Sequence, residues 1–163
     1  MYSLETVASI KDLLIAGNLT IAIAESVTSG HLQAAISQAE NARCFYQGGL
    51  TAYNLGQKVK HLGVEPIHAL ECDCVSDVVS RQMAVGISLL FTADIGVSIT
   101  GYAAAVPEKS IRIPFAYYSI CKHEKILLTK KIEALNGDAL KVQLYYTEIV
   151  LGSLLSVLGN GHS

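Results

Sequence analysis

Leu4, Val7, Ile10, Leu13 and Leu14 recur at helical spacing behind Ser3, and Gly17-Asn18 supplies a stop, so the chain is predicted to open with a capped helix. The period then changes. Leu19 to Ala24 is a short uncharged run rich in β-branched residues and reads as a buried strand. A turn and a second helix from about Thr28 to Gln38 follow, and Gly48 to Tyr53 reads as another strand leading into a loop and a helix start. Val78, Val79, Met83, Ile87, Leu90 and Phe91 mark a long amphipathic helix over Val75 to Phe91 with Ser76 as its cap. Ile95 to Thr100 is again a buried strand. Phe115 to Cys121 and Lys125 to Ile132 form a hairpin around Lys122-His123-Glu124, and a closing helix runs from Asp138 through Leu158. Strands alternating with helices predict an α/β fold: a three-layer α/β/α sandwich on a mixed, mostly parallel central sheet, with residues 1–163 as one domain.

Composition narrows the picture. Apolar residues make up 51% of the 163 positions and charged ones 16%, enough to bury a sizeable core and incompatible with a disordered tail. The formal charge of -2 offers no basic field for a polyphosphate backbone, so nucleic acid is not an expected partner. The amphipathic start carries Glu5, Lys11 and Asp12 and does not read as a secretory signal, and Ile149 to Leu158 is about half of the ~20 residues a bilayer needs. The expectation is a cytoplasmic protein with no membrane segment and with Cys44, Cys72, Cys74 and Cys121 reduced. Cys72 and Cys74 have no second chelating pair, so neither a metal nor another cofactor is expected. Apolar residues concentrated in Tyr145 to Leu158 suggest a subunit interface, hence a homo-oligomer.

In open α/β sheets ligands collect beyond the carboxyl ends of strands, beside helix amino termini. One such junction is AESVTSGHLQAAI, Ala24 to Ile36, where a buried strand meets small and hydroxyl residues and then a helix. Ser26 stands at its mouth, and the backbone N–H groups of Thr28, Ser29 and Gly30 are candidates to face an anion or oxyanion. Helix capping by Ser26 or Thr28 is the competing reading. A second junction is Ile99-Thr100-Gly101-Tyr102, and the segment Gly49 to Lys58 could bring Tyr53 and Lys58 to the same rim, although a lysine is more commonly a solvated surface charge. None of the five histidines, His31, His61, His68, His123 and His162, sits where a general base is evident. A serine nucleophile would then rely on a lysine held neutral by burial or by a neighbouring like charge.

The motifs resemble those of the carboxy-terminal domain of CinA, the competence/damage-inducible protein family, which includes nicotinamide mononucleotide deamidases. That family's AESCTGG corresponds to AESVTSG at Ala24 to Gly30; its G-G-x-x-x-Y, followed by a lysine and LGV, corresponds to Gly48-Gly49, Tyr53, Lys58 and Leu62-Gly63-Val64; its V-S-x-x-V to Val75 to Val79; its T-G to Thr100-Gly101. The resemblance implies hydrolysis of the carboxamide of nicotinamide mononucleotide to nicotinate mononucleotide and ammonia, without a cofactor. Ser26 would be the nucleophile and Lys58 its base, Tyr53 and Thr100 would line the site and orient the amide, and Glu25, Thr28, Ser29, Gly30 and Gly101 would bind substrate. The chain departs from the family where a 5′-phosphate would be expected to sit: Tyr102 to Val106 replaces a glycine-rich loop, and Ala139 and Gln143 stand where the family has arginines. The alternative is a catalytically degenerate ligand-binding or interaction module.

Overall fold

A computed structural model of the chain describes residues 2–134 and 137–160. The elements run α1 (Leu4–Ala16), β1 (Ile21–Glu25), α2 (His31–Ser37), β2 (Tyr46–Thr51), α3 (Leu55–Leu62), α4 (Pro66–Glu71), α5 (Asp77–Leu90), β3 (Ile95–Gly101), β4 (Phe115–Lys122), β5 (Lys125–Glu133) and α6 (Ala139–Asn160). The sheet order is β2-β1-β3-β4-β5. β1 pairs in parallel with β2 and β3, while β3–β4 and β4–β5 are antiparallel, so the sheet is mixed as the pattern predicts. The β4–β5 turn places His123 and Glu124 at φ 47° and 64°, the two left-handed positions of a type I′ hairpin made without glycine.

Strand parity sets the layers. Ile21 and Ile23 of β1 and Ile95, Val97 and Ile99 of β3 point into a core completed by α1, α2 and α6. Ala22 and Ala24 point the other way, toward Val79, Met83 and Ile87 of α5 and Leu62 of α3. On that second face β3 presents Gly96, Ser98 and Thr100, small or polar positions that let α5 lie close; Ser98 Oγ donates to Ser80 O at 2.5 Å. At Gly96 a Cβ would come within 2.0 Å of Ala84 O, backbone that cannot move without shifting α5. Gly96→Ala is therefore expected to destabilise the fold by about 3 kcal/mol, read as a lower urea midpoint; an unchanged midpoint would show that α5 has room to retreat.

Several boundaries differ from the sequence reading. α2 begins at His31 rather than Thr28, because Ser29 and Gly30 adopt φ 47° and 102° and hold the preceding turn out of the helix. α4 was not anticipated; it is six residues long, with Pro66 in its first turn and the Glu65 carboxylate capping Ile67 N and His68 N. α6 is longer than the apolar run within it, 22 residues, and by length and composition it could cross a membrane. Instead it packs on the core, burying Val142, Tyr146, Val150, Leu151, Leu154 and Leu158 against α1, α2 and the sheet. Within the Tyr145 to Leu158 run expected at a subunit interface, Tyr146, Val150, Leu151, Leu154 and Leu158 are buried in the chain's own core, while Ile149, Leu155 and Val157 are half-buried and Tyr145 is exposed.

Candidate active site

The chain leaves β1 toward β2 on one side and returns to β3 on the other, so the carboxyl ends of β1 and β3 diverge at a topological switch point. A cavity of about 540 Å³ opens there. Ser26 and Val27 after β1, Thr100 and Gly101 at the end of β3, Tyr53 and Lys58 around the start of α3, and Asp73 and Cys74 after α4 all line it.

Ser26 is fixed at the cavity wall by its backbone, which donates from N to Ile99 O at 3.1 Å. Lys58 comes from the first turn of α3, whose start is set by Asn54 Oδ1 accepting from Gln57 N at 3.0 Å. Helical side chains lean toward the amino terminus, and this direction carries the Lys58 amine back over the cavity. Lys58 Nζ meets Ser26 Oγ at 2.9 Å with the lysine only 2% exposed. Burial lowers the Lys58 pKa from its ordinary 10.5, against the smaller opposing influence of Cys74 and Asp73. A neutral lysine can accept the serine proton, so the pair has the geometry and the electrostatic bias for nucleophilic attack.

Thr100 is buried and donates from Oγ1 to Cys74 O at 2.7 Å, tying β3 to the turn before α5. Tyr53 stands at the rim, 69% exposed. Gly101 borders the cavity, and a Cβ there would come within 2.5 Å of Ala116, so its bareness serves the β3–β4 pairing as well.

Of the remaining expected substrate contacts, Glu25 and the N–H groups of Ser29 and Gly30 are engaged within the chain. Glu25 belongs by parity to the α2 face and is fully buried away from the cavity. Its Oε2 accepts from Thr28 Oγ1, Gly30 N and Leu32 N at 2.5, 3.1 and 3.1 Å, and its Oε1 from Gln33 N at 2.8 Å. Glu25 therefore caps α2, and the Thr28 hydroxyl is spent on it. Ser29 is exposed and donates from N to Ser26 O at 3.1 Å, so neither Ser29 nor Gly30 offers its N–H to the cavity. These residues build the turn that presents Ser26. Among the described residues the N–H groups of Val27 and Thr28 have no protein acceptor, and Val27 directly follows Ser26; in hydrolases with a serine nucleophile an oxyanion donor is commonly drawn from that position.

Two features escaped the sequence reading. Asp73 and Cys74 occupy consecutive left-handed positions, φ 52° and 61°, which turn the Asp73 carboxylate to the cavity mouth. Tyr102 Oη donates to Asp73 Oδ2 at 2.7 Å and Lys109 Nζ pairs with the same oxygen. Burial raises the Cys74 thiol pKa, against a smaller lowering influence of the neighbouring Lys58. His31, His61, His68 and His123 are absent from the cavity wall, and His162 lies outside the described residues.

The fold and the buried pair define a three-layer α/β protein with a lysine amine on a serine hydroxyl at the switch point of its sheet. The sequence model of the CinA C-terminal domain matches residues 4–158, and the chain belongs to that family. A CinA-like protein of Dictyoglomus thermophilum is 33% identical over 148 residues, 89% of this chain and 34% of its own length. One of Amoebophilus asiaticus is 33% identical over 135 residues, 78% of this chain and 32% of its own. The chain thus spans about a third of the length of these relatives. Among solved structures, a competence or damage-inducible protein from Enterobacter asburiae superposes with a TM-score of 0.89 at 26% identity, covering 97% of this chain and 99% of that one. A competence-damaged protein (CinA) superfamily protein from Klebsiella pneumoniae 700603 gives 0.90 at 24% identity, covering 98% and 99%, a likeness of fold.

Proposed function

We propose that the chain is an amidohydrolase in which Ser26 attacks a carboxamide and Lys58 is its general base, with nicotinamide mononucleotide the substrate that the family resemblance brings to the first assay. The observation that carries this reading is the 2.9 Å contact of a buried lysine amine with a serine hydroxyl on a cavity wall. A surface lysine would be protonated and hydrated; this one has lost most of its water, which favours the neutral form needed to accept a proton.

As Ser26 Oγ bonds to the carboxamide carbon, its proton passes to Lys58 Nζ, and the carbonyl oxygen takes up negative charge toward the Val27 N–H. Collapse of the tetrahedral adduct breaks the C–N bond while Lys58 returns the proton to the departing ammonia. Water, deprotonated by the same amine, then releases the acid from Ser26. A non-catalytic binding module is the second reading, favoured by the internal engagement of the Ser29 and Gly30 N–H groups, which leaves fewer oxyanion donors than the turn sequence suggests.

The test is ammonia release from nicotinamide mononucleotide and from its phosphate-free riboside, alongside labelling with a fluorophosphonate. Wild-type protein is expected to release ammonia and to be phosphonylated on Ser26, and Ser26→Ala to do neither. No release from either amide, or equal release by Ser26→Ala, would sink the mechanism.

A further inference from the structure

The cavity carries a charge arrangement that the serine–lysine chemistry does not use. Lys58 is the only lysine or arginine among its described lining residues and Asp73 the only carboxylate. The Lys58 amine is committed to Ser26. Lys109, on the 3₁₀ turn Pro107–Lys109, has its charge matched by Asp73, and the hydroxyl of Tyr102 is bound to the same carboxylate. That pairing with Lys109, assisted by Tyr102, holds the Asp73 carboxyl below its ordinary range, so it is ionised at neutral pH.

The other natural seat for an anion is the amino terminus of α6, where Ala139 borders the cavity. It is already taken by the chain's own carboxylate: Asp138 Oδ1 accepts from Lys141 N at 3.0 Å, and Asp138 Oδ2 pairs with Lys141 Nζ at 3.2 Å. A phosphate entering this cavity would meet a fixed carboxylate and no unmatched cation. Val27, Leu55, Leu70, Val75 and Val106 supply apolar wall instead, and a cavity of about 540 Å³ is large enough for an aromatic amide bearing a sugar-sized substituent.

Resting on the amidase reading above, we propose that the cavity takes a carboxamide whose remainder is uncharged or cationic rather than phosphorylated, and that Asp73 enforces this preference. Asp73 is a specificity residue here, not a participant in bond breaking. It does so by keeping the Lys109 charge matched, so that a phosphate finds no free cation; one such lost contact at a half-exposed site costs roughly a factor of ten in affinity.

The experiment compares kcat/KM for nicotinamide, its cationic riboside and its mononucleotide in the wild type, Asp73→Asn and Lys109→Met. Asparagine is well suited to the left-handed turn and still accepts from Tyr102, so Asp73→Asn is expected to keep the fold. The wild type is expected to favour the riboside over the mononucleotide by at least about tenfold. Asp73→Asn should raise the mononucleotide-to-riboside ratio about tenfold by freeing Lys109, and Lys109→Met should lower it by baring Asp73. A merely structural role for the cluster would lower all rates together without moving the ratio in opposite directions. Preference for the mononucleotide in the wild type, or a ratio unmoved by Asp73→Asn, overturns the proposal. If no compound is turned over, the amidase reading fails by itself, and calorimetric titration of Ser26→Ala protein with the riboside and the mononucleotide decides the charge preference: tighter riboside binding supports it, and tighter mononucleotide binding or no binding of either overturns it.

Discussion

Replacing Lys58 with methionine is expected to lower kcat/KM for amide hydrolysis by about 1,000-fold while making the folded chain more stable. The loss follows from removing the proposed acceptor of the Ser26 proton, since a positioned general base contributes roughly 100- to 10,000-fold. The gain follows from the same burial that makes the lysine useful: at 2% exposure its ammonium form has given up most of its hydration and has one serine hydroxyl to bond. Methionine fills a similar volume without a charge to desolvate, and an increase of about 1 kcal/mol in unfolding free energy is expected at neutral pH. The pH dependence fixes the sign. The folded-state pKa of Lys58 lies below the 10.5 of the unfolded chain, so between those values the unfolded state binds more protons and wild-type stability rises with pH. The advantage of Lys58→Met should therefore be full below the folded-state pKa and shrink as pH climbs toward 10.5. The kcat/KM profile of the wild type should rise with pH to a plateau whose midpoint lies below 10.5. Parallel urea titrations of the two proteins at several pH values test the first statement. A variant that is both inactive and less stable at every pH would mean that Lys58 is held as a structural cation.

The elements that define the fold were legible because their signals are local. Ser3 and Ser76 do cap α1 and α5, accepting from Thr6 N and Val79 N, and the uncharged strands lie at the centre of the sheet. The reach of Lys58 was harder to see from its residues alone, because a lysine in the first turn of a short helix is ordinarily solvated. A signal was present: Leu55, Lys58 and Leu62 fall at i, i+3 and i+7, on one stripe facing the sheet. Asp73 had no such signal. Its orientation depends on two successive left-handed residues, neither of them glycine, and on Tyr102 and Lys109 arriving from segments 29 and 36 positions away. The α6 pattern was legible only in part: α1, α2 and the sheet cover one side of the helix, and Tyr145 on the other side stays exposed.

Glu25→Ala is expected to be the most destabilising single change near the site, at about 4 kcal/mol, against a total stability of roughly 5–15 kcal/mol for a domain of this kind. In the sequence Glu25 adjoins Ser26 and resembles a substrate ligand. Strand parity decides otherwise, since Ile21, Ile23 and Glu25 share a face and the carboxylate therefore enters the core beneath α2. There it satisfies three backbone N–H groups at the start of a seven-residue helix that has no side-chain cap of its own, together with the Thr28 hydroxyl. Alanine would strand four donors. Each costs about 1–3 kcal/mol if left dry, reduced where water enters the space vacated, which sets the expected total. Glu25→Gln should cost about half as much, because its oxygen can keep one cluster of donors while its NH₂ opposes the other. Thermal unfolding is the measurement, with a drop of roughly 8–16 °C expected for alanine. Since this carboxylate bonds Gly30 N and the Thr28 hydroxyl in the turn that presents Ser26, its loss should also loosen the distance from Ser26 to Lys58, so residual folded protein should label more slowly with a fluorophosphonate. A Glu25→Ala protein that melts with the wild type but fails to turn over substrate would instead return Glu25 to the binding role that its sequence position suggests.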